Sequence, residues 1–203
     1  MTKLKFQKRG RPLAKRKQDN RKLRETFLII CEGKETEPNY FLKFRAPRTV
    51  VVGIGKGGLK LVEEAIKRKE REKEGRFTQI WCVFDKDETP DDDFNQALRK
   101  AKKAKIQVAY SNEAFELWFY LHFKYHSRHT HRAEYEKLLS DCLGSSYEKN
   151  QADMYDKLLS RQSEALKNAA RLLASYQPHD PALDNPCTTV HKLVEVLNNS
   201  QAV

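Results

Sequence analysis

The sequence predicts an α/β protein: a mainly parallel sheet of about four strands flanked by helices, with a C-terminal helical cap. Three observations carry this. Four short apolar runs, at 27–31, 49–52, 78–84 and 106–110, alternate with stretches of helical periodicity, the pattern that builds parallel sheets covered on both faces. Two of these runs end in acids, at Glu32 and at Asp85 with Asp87. Beyond about residue 124 the pattern becomes wholly helical.

Phe27-Leu28-Ile29-Ile30-Cys31 is an unbroken apolar run and reads as a buried strand. Glu32-Gly33 turns the chain. Pro38 suits the first turn of the helix that follows, with Thr36 or Glu37 near its cap, and Tyr40, Phe41 and Phe44 form its apolar side. This helix is expected to end before Pro47. Residues 49–52, Thr-Val-Val-Val, make a β-branched second strand, and a helix over 59–74 buries Leu61, Val62, Ala65 and Ile66. Between them the turn Gly53-Ile54-Gly55-Lys56-Gly57-Gly58 either presents backbone amides to a phosphate or is a flexible connection. It lacks the spacing of a nucleotide-hydrolysing P-loop, and the second reading is preferred.

The third strand, 78–84, delivers Asp85 and Asp87. Thr89 to Asp93 caps a helix running to 103, a fourth strand covers 106–110, and a strongly apolar helix spans 113–123. Helices over 132–142, 151–176 and 188–198 then form the cap, read as part of one domain over 25–203.

Composition narrows the class. At 203 residues the chain is long enough to bury a core, and no apolar run is long enough to cross a bilayer or to serve as a signal peptide. A cytoplasmic protein without a membrane partner is the expectation. Cys31, Cys82, Cys142 and Cys187 are scattered with no Cys-x-x-Cys pair, so they read as reduced packing residues, outside any disulfide framework or zinc site. The formal charge of +11 is concentrated: residues 1–24 contribute +10 and the remainder +1. That tail, which includes Lys15, Arg16 and Lys17, is expected to be disordered by itself. It either neutralises nucleic-acid phosphates, with affinity that falls as salt rises, or keeps the protein soluble.

In open α/β sheets the carboxyl ends of strands form the edge where ligands bind. If the two acid-tipped strands share a parallel sheet, Glu32, Asp85 and Asp87 converge there and repel unless a hard cation such as Mg²⁺ or Mn²⁺ neutralises them. Asp-x-Asp by itself is common in solvated turns; its weight here comes from the second acidic strand end. Such a site suits phosphoryl chemistry, with Glu32 as ligand or general base and Asp85 and Asp87 as ligands. Glu37 either reaches the same cation or simply favours a helix start. Glu116, the one charge inside an apolar helix, is either paired to a basic group or turned to the metal site. His122 reads as a packed, hydrogen-bonded histidine. His126, His129 and His131 stand near Arg128 and Arg132 with no acid expected close by, so that connection reads as solvated or phosphate-facing.

Three stretches, Cys31-Glu32-Gly33-Lys34-Glu35-Thr36-Glu37-Pro38-Asn39-Tyr40-Phe41, Val83-Phe84-Asp85-Lys86-Asp87-Glu88 and the segment from Ser111 through Phe123, resemble the RloB-like family. A fourth, Asn185 to Val194, is similar to that family's C-terminal block. The resemblance implies kinship with the Toprim fold of topoisomerases, primases and overcoming-lysogenization-defect nucleases. It implies a catalytic Glu32 and a metal-binding pair, Asp85 and Asp87. In those nucleases a second acid follows the first by four residues; here Glu37 follows Glu32 by five. The resemblance further implies a phage-defence effector with an ATPase partner, as in AbiL-type pairs. Hydrolysis of DNA or RNA is the preferred chemistry, with Lys34, Lys56 and Lys86 as phosphate contacts. A non-catalytic nucleic-acid- or ATPase-binding subunit is the alternative.

Overall fold

The computed structural model describes residues 25–46, 48–72 and 75–201. The tail, with Lys15, Arg16 and Lys17, lies outside the described residues. Five strands form one sheet in the order β2-β1-β3-β4-β5. They are β1 (Phe27–Cys31), β2 (Thr49–Gly53), β3 (Gln79–Asp85), β4 (Gln107–Asn112) and β5 (Cys187–Thr188). The first four are parallel, and β5 runs antiparallel to β4. β1 lies between β2 and β3 with every residue buried, which is why its sequence has no polar alternation.

Strand alternation sorts the core into two layers. Leu28 and Ile30 of β1 and Ile80, Cys82 and Phe84 of β3 face α2 (Gly58–Arg71) and α3 (Asp91–Lys103), packing on Leu61, Val62, Phe94 and Ala97. Phe27, Ile29, Trp81 and Val83 face the opposite side, against α1 (Thr36–Phe41), α4 (Glu116–Tyr120) and the C-terminal helices. Those are α5 (Tyr135–Leu143), α6 (Met154–Leu158), α7 (Gln162–Ala174) and α8 (Val190–Gln201), and their Leu139, Leu158, Leu172 and Leu193 join the same apolar cluster as the sheet. Tyr40 sits at a junction of this layer. Its ring centroid lies 5.4–6.0 Å from those of Phe41, Phe44, Phe115, Phe119 and Tyr155, tying α1 to α4 and α6. Among the described residues no helix is long and apolar enough to cross a membrane.

The α/β class and the order of the first eight elements are as the sequence predicts. Three details differ. The sheet has a fifth strand, Cys187–Thr188, where a helix was expected to begin; the helix starts at Val190. A two-residue strand carries no periodicity, so only its partner reveals it. The apolar run 113–123 holds a helix of just five residues, Glu116–Tyr120, all buried. Its apolar character reflects burial between sheet and cap rather than helix length. The stretch 151–176 is broken into α6, a 3₁₀ turn at Leu159–Arg161 and α7.

Thr189 closes the end of β4. Its hydroxyl accepts the Tyr110 N–H at 2.9 Å while its own N–H donates to the Tyr110 carbonyl at 2.8 Å, all of it buried. Thr189→Val keeps the shape and removes the acceptor. The expected outcome, measured by urea denaturation, is a loss of about 1–3 kcal/mol from the stranded Tyr110 amide; an unchanged midpoint would show that the amide finds another partner.

Candidate active site

The carboxyl ends of β1 and β3 and the starts of α1 and α4 open on a pocket of about 250 Å³. Glu32, Glu37, Asp85, Asp87 and Glu116 all line it, together with Thr36, Arg132, Lys149 and Asn150. Register explains the meeting of the first acids. Cys31 pairs with Val83, and the Glu32 N–H still donates to the Val83 carbonyl at 2.8 Å. Glu32 therefore leaves the sheet beside the last residues of β3. Alternation sends the two acids to different faces: Asp85 accepts the Phe115 N–H at 3.2 Å on the α4 side, and Glu32 packs on Gly57 at the start of α2. The Asp85 N–H in turn donates to Glu32 Oε2 at 3.2 Å, fixing one carboxylate oxygen and leaving Oε1 free of that bond.

Asp87 is aimed by the backbone. Its φ of 42° lies in the left-handed region, one that aspartate tolerates better than most residues. Its carboxylate pairs with the Arg132 guanidinium. Lys86, between the two aspartates, points the other way: it is buried, donates to the Thr89 carbonyl at 2.7 Å and pairs with Asp91 at 2.9 Å. Its charge is used within the loop, against the expectation of a phosphate contact. Lys34 and Lys56 are exposed, with Lys34 lying along Gly55.

Glu37 and Glu116 are almost fully buried, at 5% and 4% exposure. Glu37 Oε1 accepts the Gly33 N–H at 3.2 Å, so the acid faces back into the turn after β1 as well as opening the helix. Glu116 has a basic neighbour, Lys149 Nζ at 3.9 Å, accepts the Tyr147 hydroxyl at 3.3 Å and also lines the pocket. The cap is fastened over this corner by Thr36, whose hydroxyl donates to Asn150 Oδ1 at 2.8 Å, and by Asn39, which donates to the Asn150 carbonyl.

Burial pushes the Glu32 carboxyl above the ordinary carboxylate range, and Asp87 adds to the rise while the Asp85 amide and Arg132 oppose it. Burial likewise raises Glu37, with Glu116 and Glu32 repelling its charge. Asp85 is held well above its ordinary value by burial and then by Glu37, Glu116 and Glu32. Five carboxylates thus face two basic side chains, and the shortage of positive charge is what a hard divalent cation would supply. The donor chemistry fits Mg²⁺ or Mn²⁺. Among the described residues, however, no group of three or more His, Cys, Asp or Glu side chains is disposed to hold a metal ion as it stands. Asp87 is turned to Arg132, and one Glu32 oxygen is taken up by the Asp85 amide.

Sequence reasoning missed Lys149, Asn150 and the role of Arg132 in the pocket. Lys149 lies in a polar connection with no periodic signal, and Arg132 was noted only as part of a histidine-bearing loop. That loop also needs a correction: an acid is close by after all. Glu113 lies 3.9 Å from His129 Nε2 and 4.0 Å from His131 Nε2, and accepts the Arg132 N–H at 2.9 Å. His126 instead meets the Thr130 hydroxyl at 2.8 Å. His122 is packed, with Nδ1 2.9 Å from the Trp118 carbonyl, and burial pushes it down to about 4. The glycines did carry a readable signal. A Cβ at Gly33 would fall on the Glu37 carboxylate, one at Gly57 on the Glu32 carboxylate, and one at Gly53 on the Gly33 carbonyl. They are small because the acids and the first turn occupy the space.

The family model described as RloB-like protein matches residues 27–197 of this chain. No curated protein and no solved structure matches it.

The raised carboxyls have a consequence for stability. A carboxyl whose proton affinity is higher in the folded than in the unfolded chain destabilises the fold increasingly as pH rises through that window. Asparagine at 85 keeps an acceptor for the Phe115 N–H and removes the charge. In chelator-treated buffer Asp85→Asn is therefore expected to melt above wild type at neutral pH, with the difference shrinking as pH falls below the carboxylate range. Equal melting temperatures across the whole pH series would contradict the repulsion described above.

Proposed function

The chain belongs to the RloB-like family, and on that premise we propose that it is a Mg²⁺- or Mn²⁺-dependent nuclease that hydrolyses phosphodiester bonds of DNA or RNA. The supporting observation is the gathering of Glu32, Asp85 and Asp87, from two strand ends, in one pocket with Glu37 and Glu116. Glu32, Asp85 and Asp87 would hold the cation, which when bound supplies Lewis acidity and favours ionisation of the attacking water.

The chain's own groups account for the remaining tasks. Glu32 Oε1, the oxygen not held by the Asp85 amide, takes a proton from the attacking water, and burial raises the proton affinity of this carboxyl, the direction that strengthens a general base. Glu37 and Glu116, both buried, keep the pocket's charge negative and fix its far wall through Gly33, Tyr147 and Lys149. The exposed Lys34 and Lys56, and Lys15, Arg16 and Lys17 in the tail, would track phosphates, with affinity that falls as salt rises. By analogy with AbiL-type pairs, an ATPase partner would direct or restrain this activity in phage defence.

One observation favours a second reading. The acids do not form a ready ligand group, which also suits a non-catalytic subunit that docks nucleic acid or an ATPase at this edge. Calorimetry separates the two: a docking subunit binds no Mn²⁺, whereas a nuclease binds it and loses it in Asp85→Asn.

The direct test is cleavage of plasmid, single-stranded DNA and tRNA with and without Mn²⁺, alone and with the ATPase. Glu32→Gln is expected to lose activity by roughly 100-fold or more, the range for a removed general base. Identical behaviour of wild type and Glu32→Gln on every substrate would end the nuclease reading.

A further inference from the structure

Arg132 reaches into the acid pocket from the opposite half of the chain. Its guanidinium sits on the Asp87 carboxylate, and its charge is felt at Glu32, whose proton affinity it lowers. It is fixed at the backbone, while its tip is held by a partly exposed ion pair. The Arg132 N–H is held by Glu113 at 2.9 Å, and the 3₁₀ turn it opens is capped by His131 and Glu134. The side chain is 35% exposed and its Asp87 partner 31%. An ion pair this open to water contributes little to stability, so giving it up costs the fold little.

We propose that Arg132 is an exchangeable counter-ion: it neutralises Asp87 when no divalent cation is bound, yields Asp87 to the cation, and then pairs with a phosphate of the nucleic acid. This rests on the metal-dependent reading above and extends it to how Asp87 is neutralised when the pocket is empty and how the pocket recognises substrate. With five acids and two basic side chains in the pocket, Asp87 offers a cation both of its oxygens only after the guanidinium leaves it. Once displaced, a guanidinium anchored at the pocket mouth presents the planar fork of donors that matches two phosphate oxygens.

The exchange is tested by calorimetric titration with Mn²⁺ and by fluorescence anisotropy of a labelled single-stranded oligonucleotide in Ca²⁺, on the full chain. Arg132→Gln removes the competing charge and is expected to bind Mn²⁺ on the order of tenfold more tightly, from the loss of one nearby positive charge in a partly solvated site. The same variant is expected to bind the oligonucleotide on the order of tenfold more weakly, as fits the loss of one charge-assisted phosphate contact. Arg132→Lys, which keeps the charge, should stay close to wild type for Mn²⁺. Arg132→Met repeats the test should the Gln variant fail to fold. Unchanged or weaker Mn²⁺ binding in the neutral variant, or undiminished oligonucleotide binding, overturns the exchange while leaving the metal site standing. Absence of Mn²⁺ binding in wild type and in every variant removes the metal reading itself, and the exchange with it.

Discussion

The organising constraint is the crowding of like charge. Five carboxylates share one pocket at the end of a parallel sheet, and burial makes each ionised pair more costly than it would be in water. Much of the local architecture accommodates this. Backbone amides of Gly33, Asp85 and Phe115 are spent on Glu37, Glu32 and Asp85 respectively. Glycines at 33, 53 and 57 leave room for the acids and the turn between them. Lys86 is turned away so that Asp85 and Asp87 flank it on the pocket side.

The two halves of the chain divide the labour. The strand ends and α1 supply the acids Glu32, Glu37, Asp85 and Asp87, while the connections of the C-terminal helices supply Arg132, Lys149, Tyr147 and Asn150. The cap is therefore more than a cover for the apolar face. Its helices share a cluster with Phe27, Ile29 and Trp81, and its loops balance charge at the pocket. A change in how the cap sits would therefore alter the electrostatics of the acids directly.

What could be read beforehand follows from range. β1, β3 and their terminal acids were legible because an apolar run and the acid after it are local facts, and two such strands early in an α/β chain place their acids along one edge. β5 was not, since two residues show no period, and neither was the brevity of α4, where burial on all sides mimics a long apolar helix. Arg132 and Lys149 lie 45 and 33 residues from the acids they meet, Asp87 and Glu116, with nothing local to mark them. The Glu113 contact with His129 and His131 was missed because the acid belongs to the previous element. The turn at 53–58, weighed as phosphate cradle or flexible connection, does connect β2 to α2, and two of its glycines have a further reason that only the fold shows: side chains there would strike Glu32 or the first turn.

The central claim is that carboxylates from two strand ends serve one cation. An anomalous difference map from a crystal soaked in Mn²⁺ addresses it most directly. The account predicts a peak between the carboxylates of Glu32, Asp85 and Asp87, with the Arg132 side chain moved off Asp87. Manganese found only at other surfaces, with these three side chains and Arg132 where they stand now, would contradict it.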